Sequence, residues 1–371
     1  MRLTWEPVVA AEESIQNQSL PSPCSLLAVL ATCTFLLYIT SHHHHTPYLS
    51  KLIPPMSTIT LHISLFLYLL FSTTATAIGD TANSPPYIPS NYFLLNCGSS
   101  SSSNDTDGCT WDGDAPPKFW LSTSLESTAS EQNPSVNQVP YMAARIFHSQ
   151  FTYTFPVSAG PKFIGLYFYP VNYSDLDIAN SFFSVTSGGY TLFSNFSAFL
   201  NVSAMKLAVA SLRKEFIVNV RNNQRLNITF LPSPKSHAFV NGIEVVLMPE
   251  NLYIRGSDYQ IPLVSQKQQF FIENSSALET LYQLNVGGNE VSITDDTGMF
   301  RLWLSDDDYT YTAHGFPPHR EVPIRYTQET PPYTAPKIVY TTTRTMGNDS
   351  QKYKLTWRFP VDFGFYYLLR L

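Results

Sequence analysis

The chain has 371 residues and a formal net charge of −6, with 14% aromatic and only 13% charged residues. This length accommodates two domains after removal of a leader, and the aromatic content favours a β-rich fold with a large core. Phosphate binding needs clusters of basic residues, so the mildly acidic balance argues against nucleic acid as a partner.

The N-terminal part has the layout of a secretory leader. Residues 59–71 form an apolar run that is followed by an A-x-A cleavage pattern at Ala75–Ala77. We therefore expect residues 56–77 to be a signal peptide and residues 1–55 to be an untranslated upstream extension. The alternative is an N-terminal signal anchor, although the other apolar stretch, residues 26–39, is short for a membrane span.

Past this leader the sequence carries N-x-[ST] sequons, the acceptor pattern for asparagine-linked glycans. Together with the signal peptide they predict a glycosylated protein of the secretory pathway. Such a protein lies on the extracellular face of the plasma membrane if it is anchored, or is secreted if it is not. The seven sites are Asn104, Asn172, Asn195, Asn201, Asn227, Asn274 and Asn348.

Cys97 and Cys109 are the cysteines that remain after the leader. In an oxidising compartment they could close a short loop, which would stabilise the fold by about 3 kcal/mol in the chain-entropy model. Two unpaired buried thiols are the alternative, and we favour the disulfide on the compartment alone.

Short runs rich in Val, Ile, Phe and Tyr follow one another, separated by Gly, Asn, Ser and Pro. This spacing predicts antiparallel strands in a sandwich. A short helix is expected over residues 204–212. The predicted strands cover residues 146–155, 163–169, 182–186, 190–196, 215–220, 225–231 and 238–247.

The sequence repeats itself over a long distance. The pattern Phe-Pro-Val-x-x-Gly occurs at Phe155–Gly160 and again at Phe359–Gly364, and Leu95–Gly98 is similar to Leu284–Gly287. A looser match joins residues 144–147 to residues 336–339. A repeat this long indicates a duplicated domain rather than a solenoid unit.

This repeat sets the expected domain organisation. We expect a first domain over residues 91–250, a linker over 251–280 and a second domain over 281–371. Measured against the first copy, the second is incomplete, so we expect the chain to be a fragment of a longer protein.

Several motifs of the linker and the second copy, with two more at the end of the first, carry a specific resemblance. Together they resemble the extracellular region of the plant malectin-like receptor kinases, the FERONIA, THESEUS and ANXUR type. The motifs are Phe239–Val246, Met248–Pro249, Ser276–Gly288, Asp296–Trp303, Asp306–Tyr309, Thr334–Tyr340 and Arg344–Gly347.

The resemblance implies an all-β fold of tandem malectin-like, jelly-roll-type β-sandwich domains, the second incomplete. It implies a receptor region that senses cell-wall polysaccharide, small basic secreted peptides, or both, with a GPI-anchored co-receptor. A full-length relative would be a transmembrane Ser/Thr kinase, but the chain carries no kinase motif. We therefore expect no enzyme activity, no cofactor, no catalytic residue and no metal site.

Two other functions stay open. The chain could be a secreted, lectin-like carbohydrate-binding protein that acts without a kinase. A glycoside-active enzyme is the weaker third hypothesis, because pairs of carboxylates are common and their separation cannot be determined from the sequence.

Aromatic residues are candidates for stacking on sugar rings. Tyr167, Tyr169, Tyr173 and Tyr190 lie on or beside predicted strands of the first copy. The competing interpretation, which we favour, is that these alternating aromatics fill the core of the sandwich.

Charged residues supply two further candidate surfaces. The cations Arg213, Lys214, Arg221 and Arg225 could bind an acidic wall polymer such as pectin, although solvated turn residues are the more common outcome. An acidic group is the candidate surface that attracts a basic peptide. Its members are Asp295, Asp296, Asp306, Asp307 and Asp308.

Overall fold

A computed structural model describes much of the chain after residue 86. All of the described residues fall within one compact unit, Ser84–Leu371. Among them, no helix is long and apolar enough to cross a membrane. The predicted signal peptide, the upstream extension and Asn348 lie outside the described residues. The described ranges are 87–115, 118–120, 124–174, 176–205, 210–221, 225–255, 259–263, 269–311, 323–328, 330–346 and 354–371.

The described structure is mostly β-strands, with two short α-helices, α1 at Ala198–Ala204 and α2 at Lys337–Thr341. The strands of the first copy are β1 Tyr92–Asn96, β2 Ser103–Asn104, β3 Thr110–Gly113, β4 Leu125–Thr128, β5 Ala143–Phe147, β6 Phe151–Pro156, β7 Gly160–Phe168, β8 Phe183–Ser187, β9 Tyr190–Phe196, β10 Leu212–Val220, β11 Arg225–Pro232, β12 Ala238–Val240 and β13 Gly242–Leu247. Shorter strands follow: β14 Ile261–Pro262, β15 Gln269–Phe270, β16 Leu278–Thr280, β17 Leu284–Asn285, β18 Leu304–Ser305, β19 Thr310–Tyr311 and β20 Thr356–Trp357.

The first copy is a sandwich of two main sheets. A seven-stranded sheet has the order β16-β10-β7-β13-β1-β3-β2, and a four-stranded sheet has the order β6-β11-β8-β9. A three-stranded sheet, β12-β5-β4, closes one side. Inward-facing residues of these sheets form one continuous apolar core. The predicted all-β sandwich is confirmed.

Burial patterns show which faces are covered. In β6, Phe151, Tyr153 and Phe155 point inward while the residues between them are half-buried, as expected for a sheet with one wet face. In β7, every residue from Lys162 to Phe168 is buried. The seven-stranded sheet is therefore covered on both faces.

Residues of the second copy cover the outer face of the seven-stranded sheet. Met299 is fully buried in an apolar cluster with Phe163 and Ile217 of the sheet. The ring of Phe300 stacks on that of Tyr92, with 4.4 Å between the ring centroids. The linker strand β16, which leads into the second copy, also joins the edge of this sheet by pairing with β10. We call the contacts of Met299, Phe300 and β16 with the seven-stranded sheet the joint between the two copies.

A buried carboxylate organises the first copy. Asp114 follows β3, which pairs in parallel with β1. Its carboxylate accepts hydrogen bonds from Gly98 N (2.8 Å), Arg145 Nε (2.8 Å) and Tyr153 Oη (2.9 Å). The ion pair with Arg145 is inaccessible to water, with side chains 2% and 0% exposed.

The second copy repeats this arrangement at Asp306, which follows β18, itself paired in parallel with β17. The donors are Gly287 N (2.8 Å), Arg344 Nε (2.7 Å) and Trp357 Nε1 (2.7 Å). Burial opposes ionisation of Asp306, but the hydrogen bonds hold its pKa below the ordinary value.

The two arrangements also show how the copies align, because Arg344 corresponds to Arg145. The predicted match of residues 144–147 to residues 336–339 is therefore wrong. Helix α2 occupies most of residues 336–339, whereas residues 144–147 lie in β5.

The predicted disulfide is also wrong. Cys97 and Cys109 are both free thiols. Cys97 faces the main core, whereas Cys109 packs with Leu94 and Trp111 on the outer face of the sheet. Since the two thiols lie on opposite faces of one sheet, their β-carbons do not point toward each other, as a disulfide requires.

The predicted helix over residues 204–212 is displaced. Helix α1 ends at Ala204, and Leu212 already begins β10. The helix starts earlier because Ser197 caps it, its Oγ accepting from Leu200 N at 3.4 Å.

Candidate ligand-binding site

A cleft opens at one end of the first sandwich, where β7 runs into the loop that follows it. Its volume is about 480 Å³, within the range of small-molecule sites. Three segments line it. They are residues 131–134, residues 169–171, and residues 199, 202 and 203 of α1 together with Ala210.

The cleft combines an apolar wall with a polar rim. Val171, Phe199 and Val202 supply the wall and are partly buried against the main core. Glu131 and the amides of residues 132 and 133 supply carboxylate and amide groups at the rim. No lysine or arginine occurs among the described residues that line it. Such a surface suits a neutral molecule with an apolar face and hydroxyl groups.

Asn241 holds the base of this cleft in place. The residue is fully buried between β12 and β13, where the chain leaves one sheet for another. Its Oδ1 accepts from Tyr169 N at 2.7 Å, and its Nδ2 lies within hydrogen-bonding distance of Ala143 O (2.7 Å) and Tyr173 Oη (2.7 Å). The sequence analysis missed this residue; Asn-Gly between two apolar runs was the available signal.

Three of the four tyrosines that were candidates for stacking on sugars are part of the core. Tyr167, Tyr169 and Tyr173 are 6%, 2% and 1% exposed. Their hydroxyls are engaged internally: that of Tyr169 accepts from Asn133 N at 3.1 Å and that of Tyr173 donates to Tyr169 O at 2.6 Å. A ring this deeply buried offers no face to a sugar, so these three tyrosines fill the core, in agreement with the interpretation that we favoured. Tyr190 is half-buried, and its role stays a prediction.

The four cations that we predicted to form a basic cluster do not lie together. Arg213 is nearly buried, with Nη2 3.0 Å from Glu244 Oε2, and Lys214 pairs with Glu279 at 2.7 Å. Arg221 and Arg225 are exposed. Arg221 follows the other end of β10, about 25 Å from Arg213 at the usual rise per residue, and Arg225 begins β11 in the other sheet. The prediction of a four-residue pectin patch is therefore wrong.

The predicted acidic group divides into anchors and surface charges. Asp296 and Asp306 are buried, the former paired with Arg301 at 2.9 Å, so neither attracts a ligand as predicted. Asp295, Asp307 and Asp308 are exposed.

The exposed Asp295 has acidic neighbours in the first copy. The pKa of Asp107 is raised by burial and then by the carboxylates of Asp105 and Asp295. An acidic surface therefore spans both copies at this point. Its attraction for a ligand stays a prediction.

Among the described sequons, the asparagines at 104, 172, 195, 227 and 274 are exposed. Asn201 is half-buried in α1, where its Nδ2 donates to Ser197 O at 2.9 Å. Glycosylation at these sites stays a prediction.

A β-sandwich with a cleft at its loop end, followed by a second copy packed on its outer sheet, defines a tandem β-sandwich module. The malectin-like domain family model matches residues 95–371. The chain belongs to the malectin-like domain family.

The similar proteins are plant receptors. Receptor-like protein kinase FERONIA of Arabidopsis thaliana is 45% identical over 322 residues, which cover 83% of this chain and 35% of FERONIA. A crystal structure of the plant peptide RALF23 in complex with FER and LLG2 matches with a TM-score of 0.67 and 44% identity, covering 75% of this chain and 72% of that chain. The ANXUR2 extracellular domain from Arabidopsis thaliana matches with a TM-score of 0.67 and 34% identity, covering 73% and 71%.

These matches define which part of a receptor the chain represents. The chain spans about a third of the length of the curated relatives that it matches. The solved relatives are extracellular domains. This chain therefore corresponds to the extracellular part of receptor-like kinases and not to their kinase part.

Proposed function

We propose that this chain is the ligand-binding extracellular region of a receptor-like kinase, and that it senses a small basic secreted peptide together with a GPI-anchored co-receptor. The observation that carries the proposal is its 44% identity to the FER chain solved with RALF23 and LLG2. Signalling by the kinase then belongs to the remainder of the receptor.

Surface charge supports a basic ligand. The whole chain has a net charge of −6, and Asp107 and Asp295 form a shared acidic surface across the two copies. Asp308 adds an exposed carboxylate after β18. Complementary charge of this kind accelerates association and makes it sensitive to salt.

Asp295→Asn combined with Asp308→Asn tests this acidic surface. We expect the association rate of a synthetic RALF23 peptide to fall several-fold at low salt, with a smaller effect at high salt. The measurement is surface plasmon resonance at two ionic strengths. Glu126→Gln removes an exposed carboxylate on β4 and is the matched control. An unchanged rate in the double variant would remove the acidic surface from the proposal while leaving peptide binding intact.

The cleft favours a second candidate function, binding of a wall polysaccharide. Its apolar wall and its amide and carboxylate rim match the apolar ring face and the hydroxyls of a neutral sugar. An acidic polymer such as pectin is disfavoured, because Glu131 lies in the rim and no described cation lines it. The lectin-like alternative rests on the same cleft.

Phe199→Ala tests the cleft. We expect loss of most binding to a panel of neutral cell-wall oligosaccharides, because the variant removes the one aromatic ring on the wall side of α1. Leu231→Ala, at a side chain 49% exposed on the four-stranded sheet, is the control. Binding of pectic fragments alone, or equal binding by the two variants, would contradict a neutral-sugar site in this cleft.

A further inference from the structure

The joint buries more carboxylates than cations. Arg213 of β10 is the cation: its Nε lies 3.0 Å from Glu215 Oε1, and its Nη2 lies 3.0 Å from Glu244 Oε2. One guanidinium therefore serves two carboxylates. Glu244 is only 1% exposed, and its Oε1 has no hydrogen-bond partner in the described structure.

Among the described residues, no other group around Glu244 supplies a second cation. The Tyr167 hydroxyl donates to Glu244 Oε2 at 2.8 Å. The nearby Arg301 is already paired with Asp296 and reaches the cluster only through Glu215. The remaining titratable groups that face Glu244 are Tyr92 of β1, Cys109 before β3, Tyr141, and Glu215 of β10. With both glutamates ionised, the cluster holds one net negative charge away from water.

Burial raises the pKa values of both glutamates in this cluster. It raises the pKa of Glu244 from 4.5 to about 7, with Arg213 and the Tyr167 hydroxyl pulling in the opposite direction. Burial also raises the pKa of Glu215, again opposed by Arg213. A buried carboxyl that lacks its own counter-charge favours its neutral form.

Arg213 connects the cluster to the second copy. Its Nη2 also donates to Phe300 O at 3.2 Å. Phe300 stacks on Tyr92, and the neighbouring Met299 is fully buried against the sheet. Opening of these contacts would bring water to the cluster.

We propose that Glu244 makes the joint pH-sensitive: the second copy is held closed on the sheet while Glu244 carries a proton, and the contact opens more often once that proton is lost. This device works whichever ligand the receptor binds. It concerns the relative stability of the closed and open joint, and no new contact is required.

Proton linkage gives the direction in which the stability of the closed joint changes with pH. Below about pH 4.5 the carboxyl is protonated in both the closed and the open joint. As the pH rises from 4.5 toward 7, only the closed joint keeps the proton, so the closed joint loses stability progressively. Above about pH 7 the loss levels off.

Amide hydrogen exchange of residues 299–303 tests the proposal on the full chain. Protection, corrected for intrinsic exchange, is compared at pH 5 and pH 7.5. We expect it to fall at least about tenfold in the wild type. Glu244→Gln carries a neutral side chain of the same shape and should abolish that fall. Glu279→Gln, at a carboxylate 35% exposed on the same sheet edge, should retain it.

A fall of equal size in Glu244→Gln, or no fall in the wild type, would overturn the proposal. Glu215→Gln provides a second readout that does not depend on how well Glu244→Gln folds. It leaves one carboxylate opposite Arg213, so Glu244 should ionise at lower pH and the midpoint of the fall should move down. An unchanged midpoint in Glu215→Gln would also overturn the proposal.

Discussion

Asp114 and Asp306 occupy the same position in the two copies, each accepting from a glycine amide, an arginine and an aromatic side chain. A carboxylate buried in this way is stabilising only while its partners remain, because either charge alone is strongly disfavoured away from water. Substitution of a single member of these pairs is therefore expected to be strongly destabilising.

Asp114→Asn should lower the free energy of unfolding by about 3–5 kcal/mol, since it leaves Arg145 buried without a counter-charge. Asp307→Asn is the control, because its carboxylate is 72% exposed and exposed ion pairs contribute less than about 1 kcal/mol. Urea unfolding measures both variants. Similar losses in the two would show that the buried pair does not carry the stability assigned to it.

Two glycines offer a matched test of close packing. Gly98 and Gly108 have the same φ of +83°. A Cβ on Gly98 would lie 2.2 Å from Ala144 O, whereas a Cβ on Gly108 would meet no atom of the described residues within 4 Å. We expect Gly108→Ala to cost about 1 kcal/mol from left-handed backbone strain alone. Gly98→Ala should cost about 3 kcal/mol or more, since backbone atoms must also move. Equal costs in urea unfolding would contradict this packing argument.

At the scale of elements, the cleft depends on Asn241, which ties the ends of β7 and β12 to the loop before β5. Asn241→Ala leaves several buried groups without partners and should cost about 3 kcal/mol. Exchange should also accelerate in residues 129–142, which include the cleft-lining residues 131–134. Asn180→Ala, at an exposed asparagine, is the control. Unchanged exchange in residues 129–142 would show that Asn241 does not position the cleft.

Local pattern was sufficient to predict the strands but not their surroundings. The run from Phe163 to Phe168 indicated a strand, which β7 confirms. The same pattern could not show that both faces of β7 are covered, because the covering residues, such as Met299, lie more than a hundred positions away. For this reason the local pattern alone could not show that Tyr167 and Arg213 lie in the joint.

The candidate site was less predictable than the fold. Its parts come from three separate segments, 131–134, 169–171 and α1, which only the folded chain brings together. Tyr169 was a candidate binding residue and does border the cleft, but its side chain is only 2% exposed. Phe199 was not singled out at all, because its importance depends on where α1 begins.

At the scale of the whole molecule, duplication explains the architecture. The two buried carboxylates mark equivalent positions, and the second copy packs on the outer sheet of the first. The joint is thus a built-in contact between two related folds. Its charge imbalance at Glu244 has no counterpart in the carboxylate pairs of Asp114 and Asp306, each of which has its own arginine.

The proposed function of this region is to bind a basic secreted peptide together with a co-receptor. Calorimetric titration of synthetic RALF23 into the purified chain, with and without LLG2, tests it most directly. The FER extracellular region serves as the positive control. We predict a dissociation constant of about 1 µM or tighter in the presence of LLG2, corresponding to about −8 kcal/mol. No binding by this chain, under conditions in which the FER region binds, would contradict the claim.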